Sequence, residues 1–151
     1  MDKRLEVAIA ATRKAGQKTL QWFRTDNLTV TRKTDQSPVT AADLAAEEIL
    51  RKELLAAFPE DSFLGEETGC TTGRSEYEWV VDPIDGTKSF IQGVPLFATL
   101  VGCRKNGKGV LGVIFIPALE ELAYAAVGQG AWYEQSGRGR VPAHVSTQTS
   151  L

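Results

Sequence analysis

Two aspartates, a proline and a glycine fall within Asp82-Pro83-Ile84-Asp85-Gly86, directly after the apolar run Trp79-Val80-Val81 and directly before Thr87. The apolar run reads as the end of a buried strand, so the acids emerge at a strand exit. Magnesium takes hard oxygen ligands in octahedral geometry and keeps waters that a phosphate can displace. Asp82 and Asp85 can face one point if Pro83 fixes the bend between them, and Gly86 lets a ligand approach the backbone closely. Thr87 adds a hydroxyl and an N–H at what reads as a helix start, where anions bind. The chemistry this spacing suits is a metal-dependent phosphate site. The same residues are also good turn chemistry without any catalytic purpose. Gly65-Glu66-Glu67 tips the balance, because it follows a second short apolar segment, Phe63-Leu64. Acids leaving two strand ends can converge on one cation cluster, which scattered surface acids do not do.

Read together, Gly65-Glu66-Glu67, the run from Trp79 to Thr87, and Pro38-Val39-Thr40-Ala41-Ala42-Asp43 upstream make the chain resemble the inositol monophosphatase superfamily. These are magnesium-dependent, lithium-sensitive phosphomonoesterases. The resemblance runs on through the segment ending at Gly128-Gln129-Gly130-Ala131-Trp132 and so covers nearly the whole sequence. Lys88-Ser89-Phe90 looks more like the histidinol-phosphate phosphatase branch; inositol monophosphatases more often carry Thr-Asn-Phe there, and the superfamily's nucleotide 3′-phosphatases Thr-Lys-Glu-Phe.

The resemblance implies that Glu66, Asp82 and the main-chain carbonyl of Ile84 hold a first Mg2+, and that Asp82 bridges to a second which Asp85 also binds. A third, weaker ion is associated with Glu66. Asp43 is implied to bond Thr87, whose hydroxyl orients the attacking water, so that Glu66, Thr87 and Asp43 form the catalytic set. Gly86, Thr87 and Lys88 are the implied substrate-binding residues. The implied partner is a small phosphorylated metabolite, with neither nucleic acid nor membrane. The superfamily's enzymes continue for about another domain's length, with a further Trp-Asp-x-Ala-Ala-Gly motif. The sequence therefore reads as the N-terminal half of such an enzyme: residues 1–151 form a metal-binding domain, 134–151 serve as a connecting tail, and the C-terminal substrate domain is absent. Such a half is expected to form homo-oligomers or to pair with the missing half. A non-catalytic metal-binding or dimerising fragment is the competing reading.

Several of these residues also have plainer readings. Asp43, near a helix start, could simply complement the helix dipole. Lys88 could be a solvated lysine in a turn. Lys33 reads as an ordinary loop charge, although the resemblance puts it on an arm that closes over the metals. Glu67 has no assigned role, His144 in a polar tail reads as incidental, and Trp22, Trp79 and Trp132 suit packing better than a cofactor.

These residues must be positioned by a small scaffold. At 151 residues, 42% hydrophobic and 24% charged, the sequence suits one globular domain. A formal charge of −2 leaves no electrostatic footprint for nucleic acid or an anionic membrane. No apolar stretch is long enough to span a bilayer, and the start Met1-Asp2-Lys3-Arg4 does not read as a signal peptide. Cys70 and Cys103 match no metal or redox spacing and read as reduced thiols of a cytoplasmic protein. Leu5, Ala8, Ile9, Thr12, Gly16, Leu20 and Phe23 recur at helical spacing and predict a helix over 5–23. A short strand at 28–31 precedes a second helix over 40–58, which Pro59 follows. Apolar runs at 79–81, 97–103, 110–116 and 122–127, separated by turn signals such as Asn106-Gly107, predict an antiparallel meander. The expected class is α+β: two helices packed on a mainly antiparallel sheet, half of a layered αβαβα phosphatase fold.

Overall fold

The computed structural model describes residues 2–26, 28–32 and 38–149; Lys33 and its neighbours Thr34 and Asp35 lie outside the described residues. Helix α1 runs Lys3–Thr19, capped by Asp2, whose carboxylate accepts from the Arg4 N–H at 3.1 Å. The helix expected over 5–23 thus ends earlier, and residues 20–24 continue as turns. Strands β1 (Val30–Arg32) and β2 (Pro38–Thr40) form a small antiparallel ribbon leading into α2 (Ala41–Ala57). A capping box between Thr40 and Asp43 starts α2. The capping supplies acceptors to N–H groups that have no partner within the helix.

The main sheet holds β3 (Ser62–Gly65), β4 (Gly69–Thr71), β5 (Tyr77–Asp85), β6 (Ala98–Lys105), β7 (Lys108–Ile116), β8 (Glu121–Ala126), β9 (Gly130–Gln135) and β10 (Gly139–Pro142). Their order is β10-β9-β8-β7-β6-β5-β3-β4. Every pairing is antiparallel except β3 with β5. A short helix α3 (Thr87–Ile91) follows β5, and a 3-10 turn (Pro117–Leu119) joins β7 to β8. Residues 134–151, expected as a connecting tail, carry the end of β9 and all of β10 before an irregular stretch at 143–149. Polar alternation across a glycine-containing hairpin hid these strands, since neither face buries enough to leave an apolar signature.

Helices α1 and α2 cover one face of the sheet. Phe63, Trp79, Val81, Val101, Val113, Phe115 and Leu122 point into that layer and meet Leu5, Ala8, Ala15, Ala46, Leu50 and Leu54. Small residues let α1 lie close: a Cβ at Gly16 would stand 2.6 Å from the Phe115 ring. Alternate strand residues point the other way. Leu64, Val80, Gly102, Gly112, Ala125 and Ala131 are paired strand to strand and form one small-residue row across that outer face.

Candidate functional site

Glu66 and Asp82 meet because β3 and β5 are parallel neighbours. Leu64 pairs with Val80 and Gly65 with Val81, so the next step along both strands brings Glu66 beside Asp82. Both carboxylates therefore share the outer face with Leu64, Val80 and Leu100, which line an open hollow of about 390 Å³ with them. The two acids are in hydrogen-bonding contact. The Asp82 carboxyl is pushed up to about 8, first by burial, then by the Glu66 charge and hydrogen bond, and then by the Asp85 charge. The Ile84 N–H acts in the opposite sense. Excess negative charge gathered on a half-buried acid is the condition that an opposite charge would relieve.

The Asp82–Asp85 turn is not the strand exit that the sequence suggested. β5 continues through it, and the register with β6 slips between the Asp82–Leu100 and Asp85–Ala98 pairs. Pro83 explains the slip, because it has no N–H to give the ladder and proline inside a sheet is confined to edges and bulges. The bulge is tied down from three directions. Ile84 donates its N–H to Asp82 Oδ1 at 3.1 Å, the Thr99 hydroxyl donates to the Pro83 carbonyl at 2.9 Å, and the Thr87 hydroxyl donates to the Ile84 carbonyl at 3.0 Å. The Ile84 side chain drops into a second small core with Ala42, Phe90 and Phe97. Phe23 stacks on Phe90 and Phe97 there, with ring centroids 5.7 and 5.0 Å away. The turn therefore rests on a rigid aromatic base.

Gly86 caps α3 with φ +88, and a Cβ would come 3.2 Å from the Leu96 carbonyl; both the twist and the crowding favour glycine. Thr87 opens α3 as expected. Lys88, one residue on, is exposed and lines a hollow of about 400 Å³ together with Arg32, Val30 and Ile91. Asp43 is buried at 1% exposure and accepts from the Thr40 N–H at 2.8 Å and the Thr40 hydroxyl at 2.6 Å. The Thr87 hydroxyl donates to the Ile84 carbonyl, and Asp43 takes part with Thr40 in the capping box that starts α2. Thr87 and Asp43 belong to neighbouring elements, since Ala42 and Phe90 share the second core.

The donor set suits a hard divalent ion. Glu66 and Asp82 supply carboxylate oxygens in contact with one another, the Ile84 carbonyl is two residues from Asp82, and Asp85 adds charge at longer range. Among the described residues, no three His, Cys, Asp or Glu side chains gather closely enough to hold an ion by themselves. A first ion would thus depend on the carboxylate pair plus main-chain oxygen. One residue that orders this site was not singled out from the sequence. Glu47, fully buried on α2, accepts from the N–H groups of Glu67 and Thr68, both at 2.8 Å. Its sequence signal is a charge on the same helical stripe as Ala46, Leu50 and Leu54.

The α+β layered fold is shared with solved structures of the inositol monophosphatase type. The extragenic suppressor protein suhB from Bartonella henselae superposes with a TM-score of 0.86 at 35% identity, over 95% of this chain and 54% of that one. The chain belongs to the inositol monophosphatase family, whose sequence profile matches residues 1–151. It is 43% identical over 132 residues to a histidinol-phosphatase of Chlorobaculum parvum, covering 87% of this chain and 51% of that protein. It is 41% identical over 130 residues to an inositol-1-monophosphatase of Mesorhizobium japonicum, covering 85% and 49%. The chain spans about half the length of the curated relatives it matches. The family's members are phosphatases, hence hydrolases, and use divalent metal ions. Among the described residues, no helix is long and apolar enough to cross a membrane.

Proposed function

We propose that this chain supplies the metal- and phosphate-binding half of a Mg2+-dependent phosphomonoesterase of the cytoplasm, acting on histidinol phosphate. The observation that carries the reading is the contact of Glu66 with Asp82 at the ends of two parallel strands, under the added charge of Asp85. Glu66, Asp82 and the Ile84 carbonyl would hold a first Mg2+, and Asp82 with Asp85 would hold a second that is completed from elsewhere. When bound, such ions supply positive charge that polarises a phosphoryl group and acidifies a water. The chain's own residues do the rest. The bulge around Pro83 fixes the angle between the two aspartates, and Gly86 leaves room for a phosphate against the backbone. The Thr87 hydroxyl, near the N-terminus of α2 that Asp43 caps, orients the water. Lys88, exposed one residue beyond Thr87, would offer its ammonium to the phosphate.

Lys88-Ser89-Phe90 and the 43% identity to a histidinol-phosphatase support histidinol phosphate as substrate. The 41% identity to an inositol-1-monophosphatase makes inositol 1-phosphate the substrate to test against it. The apolar outer face of the sheet is where the other half of the enzyme, or a second copy of this chain, would pack. Phosphate release from both esters, with and without Mg2+, should be measured for this chain and for a polypeptide extended at the C-terminus. Mg2+-dependent release faster on histidinol phosphate is expected of the extended protein. Release that ignores Mg2+ would remove the metal assignment, and a preference for inositol 1-phosphate would move the chain to the other branch.

A further inference from the structure

We infer that Glu47 is a positioning residue that aims the Glu66 carboxylate at Asp82. The inference rests on the metal-site reading of Glu66 proposed above. Glu47 lies on the buried side of α2 between Ala46 and Leu50, at 0% exposure, where a carboxylate must find donors or forfeit its hydration without return. Its donors come from one place, the turn between β3 and β4. Oε2 accepts from the Glu67 N–H at 2.8 Å, and Oε1 accepts from the Thr68 N–H at 2.8 Å and the Thr68 hydroxyl at 2.5 Å.

The residue on the other side of Glu66 meets the same carboxylate. A Cβ at Gly65 would overlap it, standing 2.9 Å from Oε2 and nearer still to Cδ and Oε1. Glu66 is thus held between two backbone positions that both rest on Glu47, one by close approach and one by a charge-assisted bond. Arg51, one turn further along α2, closes the clamp by donating to the Thr68 hydroxyl at 2.6 Å and stacking over Phe63 at 4.3 Å. With the backbone pinned from the helix side, the Glu66 side chain is directed to the outer face, where Asp82 stands. A merely space-filling residue at position 47 would not fix that direction, because an apolar side chain offers nothing to the two amides.

The test compares wild type with Glu47→Gln, using Mg2+ itself as the probe. Gln keeps the size but replaces one accepting oxygen with a donor, so one of the two amides loses its partner. Circular dichroism establishes folding, residue-resolved amide exchange reads the turn, and calorimetry reads Mg2+. We expect a folded variant in which Glu67 and Thr68 exchange about tenfold faster or more while β5 and β6 keep their protection. Mg2+ affinity should weaken by about 10–100-fold, the usual effect of losing a residue that orients a metal ligand. Unchanged protection at Glu67 and Thr68, or unchanged Mg2+ affinity in a folded variant, overturns the inference. A wild type that binds no Mg2+ would remove the metal reading of Glu66, and the exchange data would still decide whether Glu47 holds the turn. If Glu47→Gln does not fold, Thr68→Ala serves, because it removes the hydroxyl's two bonds in the clamp, to Glu47 and from Arg51, at an exposed position while keeping both amide bonds. It should weaken Mg2+ in the same direction by a smaller factor, and no change would again overturn the proposal.

Discussion

Asp61, just before β3, and Asp82, on the neighbouring parallel strand β5, solve opposite problems. Asp61, 3% exposed, receives two bonds from the Arg4 guanidinium at 3.0 Å, one from the Ser75 hydroxyl at 2.6 Å and one from the Trp79 indole at 3.0 Å. Arg4 itself lies over Tyr77 at 3.7 Å and Phe58 at 4.2 Å, which shields the ion pair from water. Asp82 has one N–H, from Ile84, and faces Glu66 and Asp85. One carboxylate is fully answered and belongs to the architecture. The other is crowded by its own kind, Glu66 and Asp85. Carboxylates of one fold can thus be sorted by what surrounds them: complete donor shells mark scaffolding, and gathered like charges mark a place for a ligand.

Breaking the comparison at Asp82 should have the largest effect. Asp82→Asn in the C-terminally extended protein is expected to lower Mg2+-dependent phosphate release by about 10³-fold or more, because a neutral amide cannot replace the charge that holds the ion. Circular dichroism should show an intact fold, and without Mg2+ the variant should melt no lower than wild type near pH 8. Near-normal turnover in a folded variant would end the metal assignment. Asp61→Ala should do the reverse, losing about 3 kcal/mol of stability by leaving the part-buried Arg4 without its partner. Urea unfolding measures this, and a loss under 1 kcal/mol (roughly that of an exposed pair) would show that the Arg4–Asp61 pair contributes little.

Thr87→Ala probes the neighbouring turn with a smaller effect. It should reduce kcat by about 10²-fold with less change in KM, and leave calorimetric Mg2+ affinity nearly intact. A large loss of Mg2+ binding with kcat preserved would make Thr87 part of the ion site and not a guide for water. The mildest test is pH. Because the Asp82 carboxyl is raised from 3.8 to about 8, the folded chain holds a proton that the unfolded chain has released anywhere between those values. Stability from this group is therefore complete below pH 3.8 and declines as pH rises through about 8. Saturating Mg2+ should flatten that decline, since the ion takes the place of the proton. Melting temperatures across this range, with and without Mg2+, check it; the same slope in both would mean that the ion does not reach Asp82.

Much of the site could be read from the residues alone, since it is written in short stretches. Pro83, Gly86 and Thr87 act within a few residues of Asp82 and Asp85, and proline's missing N–H and glycine's tolerance of positive φ are local properties. Helical periodicity likewise announced α1 and α2, and alternation the central strands, because each has one face in a single apolar layer. The sequence by itself thus determined the elements, the carboxylate motifs and the family they resemble. Tertiary structure alone decided which acids meet. The parallel register of β3 with β5 puts Glu66 beside Asp82, and nothing in either segment encodes that register. Glu47 and Asp61 could not be assigned from the sequence, for their donors arrive from residues 14 to 57 positions away. The Thr87 bond to the Ile84 carbonyl and the Thr40 bonds to Asp43 likewise depend on backbone geometry that the residue types do not state. Propensity and pattern are summed along the chain, whereas the burial and pairing of a charge depend on what the fold carries back to it through space.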